Sequence, residues 1–162
     1  MRDEVDRIVE EWGRVRPDLD VGPLHVLSRV SRLAHHLDHA RRRAFERHDL
    51  VLWEFDVLSA LRRAGEPYEL SPGTLVAQTL VTSGTMTNRI DRLEARGLVE
   101  RRPAPGDRRG VRVLLTDEGL TRVDAALEDL LRVEERLLED LPEPDRSRLA
   151  DLLRILVAPF DA

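Results

Sequence analysis

The sequence predicts a mainly α-helical protein with one small β-hairpin, and three observations lead to that class. Apolar residues recur at the three- and four-residue spacing of amphipathic helices along most of the 162 residues. The only β-type runs are the short segments 98–103 and 111–116, joined by the turn-forming stretch Ala-Pro-Gly-Asp-Arg-Arg-Gly. Aromatic residues make up only 4%, so Leu, Val, Ile and Ala must fill the core.

The elements follow in order. Val5, Ile8, Val9 and Trp12 place a short helix over 2–16, ended by Pro17-Asp18 and a turn at Gly22-Pro23. A long helix runs from Leu24 to about His48, with a stripe of Leu24, Leu27, Val30, Leu33, Leu37, Ala40, Ala44 and Phe45. Asp49 breaks it. A third helix, Trp53 to Ala64, is closed by Gly65 and Pro67. Ser71 caps a short helix to Thr79 with Pro72 at its first position. Thr82-Ser83-Gly84 opens the next helix, which stops at Gly97. After the hairpin, Asp117 starts a long helix to about Leu141, and a last helix follows Pro142 to near Ala158. A short helix, tight turn, second helix and β-hairpin is the winged form of helix-turn-helix, here flanked by long helices. This organisation divides the chain into N-terminal helices at 1–48, a winged lobe at 49–116 and C-terminal helices at 117–162.

Composition narrows the functions available. Without Cys there are no disulfides, thiolate metal sites or cysteine nucleophiles. No apolar run approaches the roughly 18–20 residues of a bilayer span. The opening Met-Arg-Asp-Glu-Val-Asp is acidic and lacks the apolar stretch of a secretion signal, so a soluble cytoplasmic protein is expected. The formal charge is −5, and every basic side chain is Arg. That total hides an asymmetry: residues 80–112 carry a net +4, while 113–162 carry −7. Charges beyond about 10 Å are largely screened at 0.1 M salt, so one basic segment can meet phosphate on an acidic protein. A merely solvated charged surface is the alternative.

On the 83–96 helix, Met86, Ile90 and Leu93 share one side and must face the core. Thr85, Asn88 and Arg92 fall opposite, with Arg89 on the flank and Ser83 and Thr87 in the first turns. Such side chains donate to phosphates and read base edges in the major groove. Asp91 and Glu94 must tilt away from phosphate. Arg108 and Arg109, expected at the hairpin tip, can project into a narrow minor groove, with Asp107 bracing one of them. A solvated turn is the plainer reading.

The stretch from Val81 through Arg102, followed by Asp107-Arg-Arg-Gly-Val and Leu115-Thr-Asp-Glu-Gly, resembles the MarR family of bacterial regulators. The resemblance covers nearly the whole chain. It implies a homodimer that binds a pseudo-palindromic double-stranded DNA operator and usually represses, dimerising through the helices at about 24–40 and 120–158. A finer match is to the urate-responsive subfamily, and within it the branch controlling trans-aconitate methyltransferase, which responds to citrate and aconitates. Trp12, Arg-Pro-Asp-Leu-Asp at 16–20, Trp53-Glu-Phe-Asp56, Arg63 and Arg101 carry that match. It implies an anion pocket lined by Trp12, Arg16 (Arg14 as a substitute), Asp56 and Arg63, with Arg101 linking it to the DNA-binding helix. The ligand it implies is citrate- or aconitate-like, or else urate-like, another purine or a phenolic anion. The residues by themselves also allow plainer roles: Trp12 as a core anchor of the first helix, and Asp56 and Arg63 as structural ion pairs. Asp56 and Arg63 are two turns apart on one helix face, able to line one cavity.

Other signals are weaker. The five His, at 25, 35, 36, 39 and 48, all fall in the predicted second helix. His35 and His39 have zinc-compatible spacing but lack a third ligand; titration at a dimer interface or plain surface roles are the alternatives. Glu54 and Asp56 point to different sides of their helix and make a poor catalytic pair. With no nucleophile or phosphate loop, neither an enzyme nor a cofactor is expected; a winged helix used only for protein contacts is the rival to DNA binding.

Overall fold

In the computed structural model, residues 2–104 and 106–160 are described, the side chains of Asp107, Arg108 and Arg109 excepted. The chain divides into two compact units, Met1–Arg43 and Ala44–Ala162.

In the first unit, α1 (Glu4–Val15) starts on a reciprocal cap. Asp3 accepts from the backbone N–H groups of Val5 and Asp6, and Asp6 accepts in return from the Asp3 N–H. Val5 and Val9 are buried. The Arg29 guanidinium, on α2 (Leu24–Glu46), donates to Asp3 at 2.8 Å and Asp6 at 2.7 Å, fastening α1 to α2. Trp12 is 49% exposed, so it does not serve as the core anchor of α1. Along α2, Leu27, Val30 and Leu33 are exposed, and only the last-turn residues Ala44 and Phe45 are buried.

The second unit holds α3 (Leu52–Arg63), β1 (Glu69–Leu70), α4 (Pro72–Thr79), α5 (Ser83–Ala95), β2 (Val99–Ala104), β3 (Asp107–Leu115), α6 (Asp117–Leu137) and α7 (Glu143–Val157), ending in a 3₁₀ turn. Phe45 stacks on Phe55 with centroids 4.1 Å apart. Around them Leu58, Leu61, Leu75, Met86, Ile90 and Leu93 close a core that also takes in Val123 and Ala126 of α6. The start of α6 therefore belongs to the winged lobe. A helix-turn-helix pair on a small sheet, the expected winged architecture, is what forms.

Three local expectations change. The sheet has three antiparallel strands in the order β1-β3-β2, because Glu69 and Leu70 pair with Leu114 and Val113. Two residues are too few to show a period-2 pattern, so β1 is invisible to sequence periodicity. Second, β3 begins at Asp107, so Arg108 and Arg109 belong to a strand and not to the turn; the pairing of Ala104 with Asp107 after an irregularity at Pro103 tightens the tip. Third, α2 ends at Glu46, which leaves His48 outside it. His48 Nε2 meets the Asp129 carboxylate of α6 at 2.7 Å, a tertiary bond from the turn after α2.

Two glycines fix the geometry around α5 and α6. Gly97 has φ +68 and ends α5, with the Leu98 N–H donating back to the Leu93 carbonyl at 3.0 Å. Gly119 lies where a Cβ would stand 2.0 Å from the Leu98 carbonyl oxygen. Thr116 joins these two points: its hydroxyl donates to the Gly97 carbonyl and accepts from the Gly119 N–H.

Candidate nucleic-acid interface

The candidate interface is built on α5. Thr82 caps it, accepting from the Thr85 N–H at 3.3 Å, and its hydroxyl lies 2.9 Å from that of Thr85. Met86, Ile90 and Leu93 are buried, which fixes the helix's rotation. Ser83, Thr85, Thr87, Asn88 and Arg92 are consequently exposed, and Arg89 is half-buried. The Thr87 hydroxyl donates back to the Ser83 carbonyl at 3.1 Å, leaving its lone pairs outward. Thr85, Asn88, Arg89 and Arg92, with Trp53 and Gly84, line one open recess of about 470 Å³.

Arg101 of β2 removes the electrostatic objection to this face. Its Nη2 donates to Asp91 at 2.5 Å, its Nη1 donates to Glu94, and its backbone N–H donates to Glu94 at 3.1 Å. Burial pulls the guanidinium's pKa down, but the Asp91 and Glu94 hydrogen bonds outweigh that and leave it raised. Both acids of α5 thus carry a countercharge, and Arg89 and Arg92 face outward beside them. The sequence placed Arg101 as a link to the helix; its described bonds run to α5 directly.

A second charge cluster anchors the same helix. The Arg96 guanidinium donates to the buried Glu54 carboxylate and to Asp49, both at 2.6 Å, and Arg122 of α6 donates to Asp49 at 3.0 Å. Glu54 also accepts from the Val51 N–H at 3.0 Å, capping α3. Arg122, then Arg96, hold the Asp49 carboxyl below its ordinary value of 3.8. Sequence reasoning missed Arg96, Glu54 and Trp53, because their partners lie on other elements and no spacing links them.

The remaining predicted residues belong to both units and are taken one by one. Asp56 and Arg63 are exposed on α3, and Arg63 with Ala60, Ala64 and Gln78 lines a recess of about 260 Å³. In the first unit Arg16 donates twice to Asp18, at 2.8 and 2.7 Å, so its fork is already engaged locally. The side chains of Arg108 and Arg109 lie outside the described residues. His35 and His39 pack edge-to-face, centroids 4.6 Å apart, but among the described residues no group of three metal-ligating side chains occurs. No described helix is long and apolar enough to cross a membrane.

A profile of the MarR family matches residues 48–110. The HTH-type transcriptional regulator PecS of Dickeya dadantii is 39% identical over 150 residues, spanning 93% of this chain and 90% of its own. The HTH-type transcriptional repressor NicR of Pseudomonas putida is 32% identical over 130 residues, 74% of this chain and 80% of its own. A crystal structure of a mutant MarR from Escherichia coli complexed with operator DNA superposes with a TM-score of 0.70 at 25% identity, covering 90% of this chain and 97% of that one. With the winged helix-turn-helix fold and near full-length similarity to PecS, the chain belongs to the MarR family of transcriptional regulators.

Proposed function

We propose that this regulator binds a pseudo-palindromic operator as a homodimer and represses transcription until a small anionic metabolite releases it. The outward face of α5 (Ser83, Thr85, Thr87, Asn88, Arg89 and Arg92) enters the major groove, and Arg108 and Arg109 of β3 reach the adjacent minor groove. The observation that carries the reading is the convergence of Thr85, Asn88, Arg89 and Arg92 on one exposed face whose acids are neutralised by Arg101. The similarity to a MarR complexed with operator DNA supports operator binding.

Dimerisation is supported by unpartnered apolar surface. On α7 and the turn after it, Leu152, Ile155, Leu156 and Phe160 are exposed, Ile155 at 70% and Phe160 at 86%. Exposed apolar side chains at three- and four-residue spacing on one helix, as Leu152, Ile155 and Leu156 are, support an association surface. A second copy is the proposed occupant, because a pseudo-palindromic operator with half-sites about 34 Å apart, one turn of B-DNA, calls for two recognition helices related by a two-fold axis.

For the effector, the Arg63 recess with Gln78 suits a carboxylate, and a citrate- or aconitate-like anion is the ligand proposed, with urate as the comparison. Asp56, Trp12 and Arg16 are assigned to effector recognition as well, each to be tested on its own.

The test is a gel-shift titration against a duplex that the protein itself selects from a randomised library, repeated from 50 to 200 mM salt. Neutralising several phosphates makes affinity fall by orders of magnitude across about that range. A flat response overturns the DNA reading in favour of protein contacts. Thermal shift with citrate, aconitates and urate tests the effector, since a ligand of the folded state raises the melting point; no shift with any of them overturns the anion assignment.

A further inference from the structure

The indole of Trp53, at the start of α3, forms an aromatic wall of the recess on α5. The guanidinium carbons of Arg89 and Arg92 lie 5.4 and 5.1 Å from its ring centroid, within cation–π range. We infer that Trp53 is a positioning residue for DNA recognition: its π face orders the two arginines of α5 before DNA arrives. The inference rests on the operator-binding reading above and goes further by assigning a role to a residue that makes no base contact itself.

Three physical points support it. Arg89 and Arg92 are one turn apart on α5, so their like charges oppose a shared orientation unless something intervenes. The negative face of an indole between α3 and α5 is such a mediator. An arginine carries large rotamer entropy, and a base- or phosphate-binding geometry that is already populated loses less of it on complex formation. Finally, Trp53 packs partly against the core, so its ring is held by α3 and cannot follow the arginines outward. The recess thus joins an aromatic wall to two cations held over it, beside Asn88 and Thr85.

The experiment measures affinity for the self-selected duplex at fixed salt for the full-length wild type, Trp53→Phe and Trp53→Leu, each also in an Arg89→Ala/Arg92→Ala background. Loss of one or two stacks predicts a fall of about five- to thirtyfold for Trp53→Leu, with Trp53→Phe, which keeps a π face, within about threefold of wild type. In the background lacking both arginines, Trp53→Leu has no further effect. Melting curves for each variant separate folding from binding. A purely structural role predicts instead that Trp53→Leu weakens binding equally with and without the arginines, and that result overturns the inference. Wild-type affinity in a folded Trp53→Leu protein does so too, while leaving operator binding intact. A wild type that selects no duplex, or binds it without salt dependence, overturns both together.

Discussion

Arg96 at the C-terminal end of α5 donates through Nη1 to the Glu54 carboxylate of α3 at 2.6 Å, and Glu54 is only 3% exposed. This pair, with Glu54 buried and Arg96 half-buried, ties the end of α5 to α3, and the cap that Glu54 also makes on Val51 sets where α3 begins. Removing Arg96 leaves the buried Glu54 without this guanidinium. Arg96→Met is expected to cost about 3 kcal/mol of stability in urea unfolding. Replacing both groups, as Glu54→Leu with Arg96→Met, is expected to recover all but about 1 kcal/mol, the share of the missing α3 cap. Additive losses in the double variant would show that the two groups are not coupled.

Gly119 allows α6 to approach Leu98 more closely than any side chain permits. Gly119→Ala places a methyl 2.0 Å from the Leu98 carbonyl oxygen and forces α6 off the lobe. A loss of about 3 kcal/mol or more is expected, at the upper end of overpacking costs. Gly13→Ala, in α1 with open space at the same position, should instead stabilise by about 0.5–1 kcal/mol. Equal effects at the two sites would remove the close approach as the cause.

Acid should weaken the lobe through Asp129. Arg132 and then His48 hold its carboxyl below the ordinary 3.8. A carboxyl whose pKa is depressed by folding stabilises above the unfolded value and loses that contribution as pH falls through the folded one. Wild type is therefore expected to exceed Asp129→Asn in stability at pH 7, with the gap closing below pH 3.8. Chemical unfolding across that range measures it, and a gap independent of pH would exclude the carboxylate.

On the DNA side, Arg108→Ala with Arg109→Ala is expected to abolish binding to the selected duplex while the dimer persists in sedimentation. For any residual binding, the salt slope should shrink by about 0.9 per phosphate that is no longer neutralised. Unchanged affinity would take the hairpin out of the interface.

The proposed effector role of Arg63 can be separated from DNA binding with one variant. Arg63→Ala should bind the selected duplex near normally yet resist release by whichever of citrate, aconitate or urate shifts the wild-type melting point. Full release by that anion would exclude Arg63 from effector recognition.

The periodicity of Met86, Ile90 and Leu93 alone determined which side of α5 is buried, and therefore which residues face outward. Capping chemistry did the same for two helix starts, as Ser71 and Thr82 cap where their residue types predict. These features are local: they depend on neighbours three or four residues away, and a sequence displays such neighbours directly. Arg101 on Asp91 and Glu94, Arg96 on Glu54, Trp53 beneath Arg89 and Arg92, and Glu69 against Leu114 are different. Each joins elements whose approach is set by how the whole core packs, and no one-dimensional pattern encodes that approach. Charge and helical period could place an arginine face on the surface; only the folded chain could decide which arginines take the neighbouring carboxylates and which aromatic ring lies against Arg89 and Arg92.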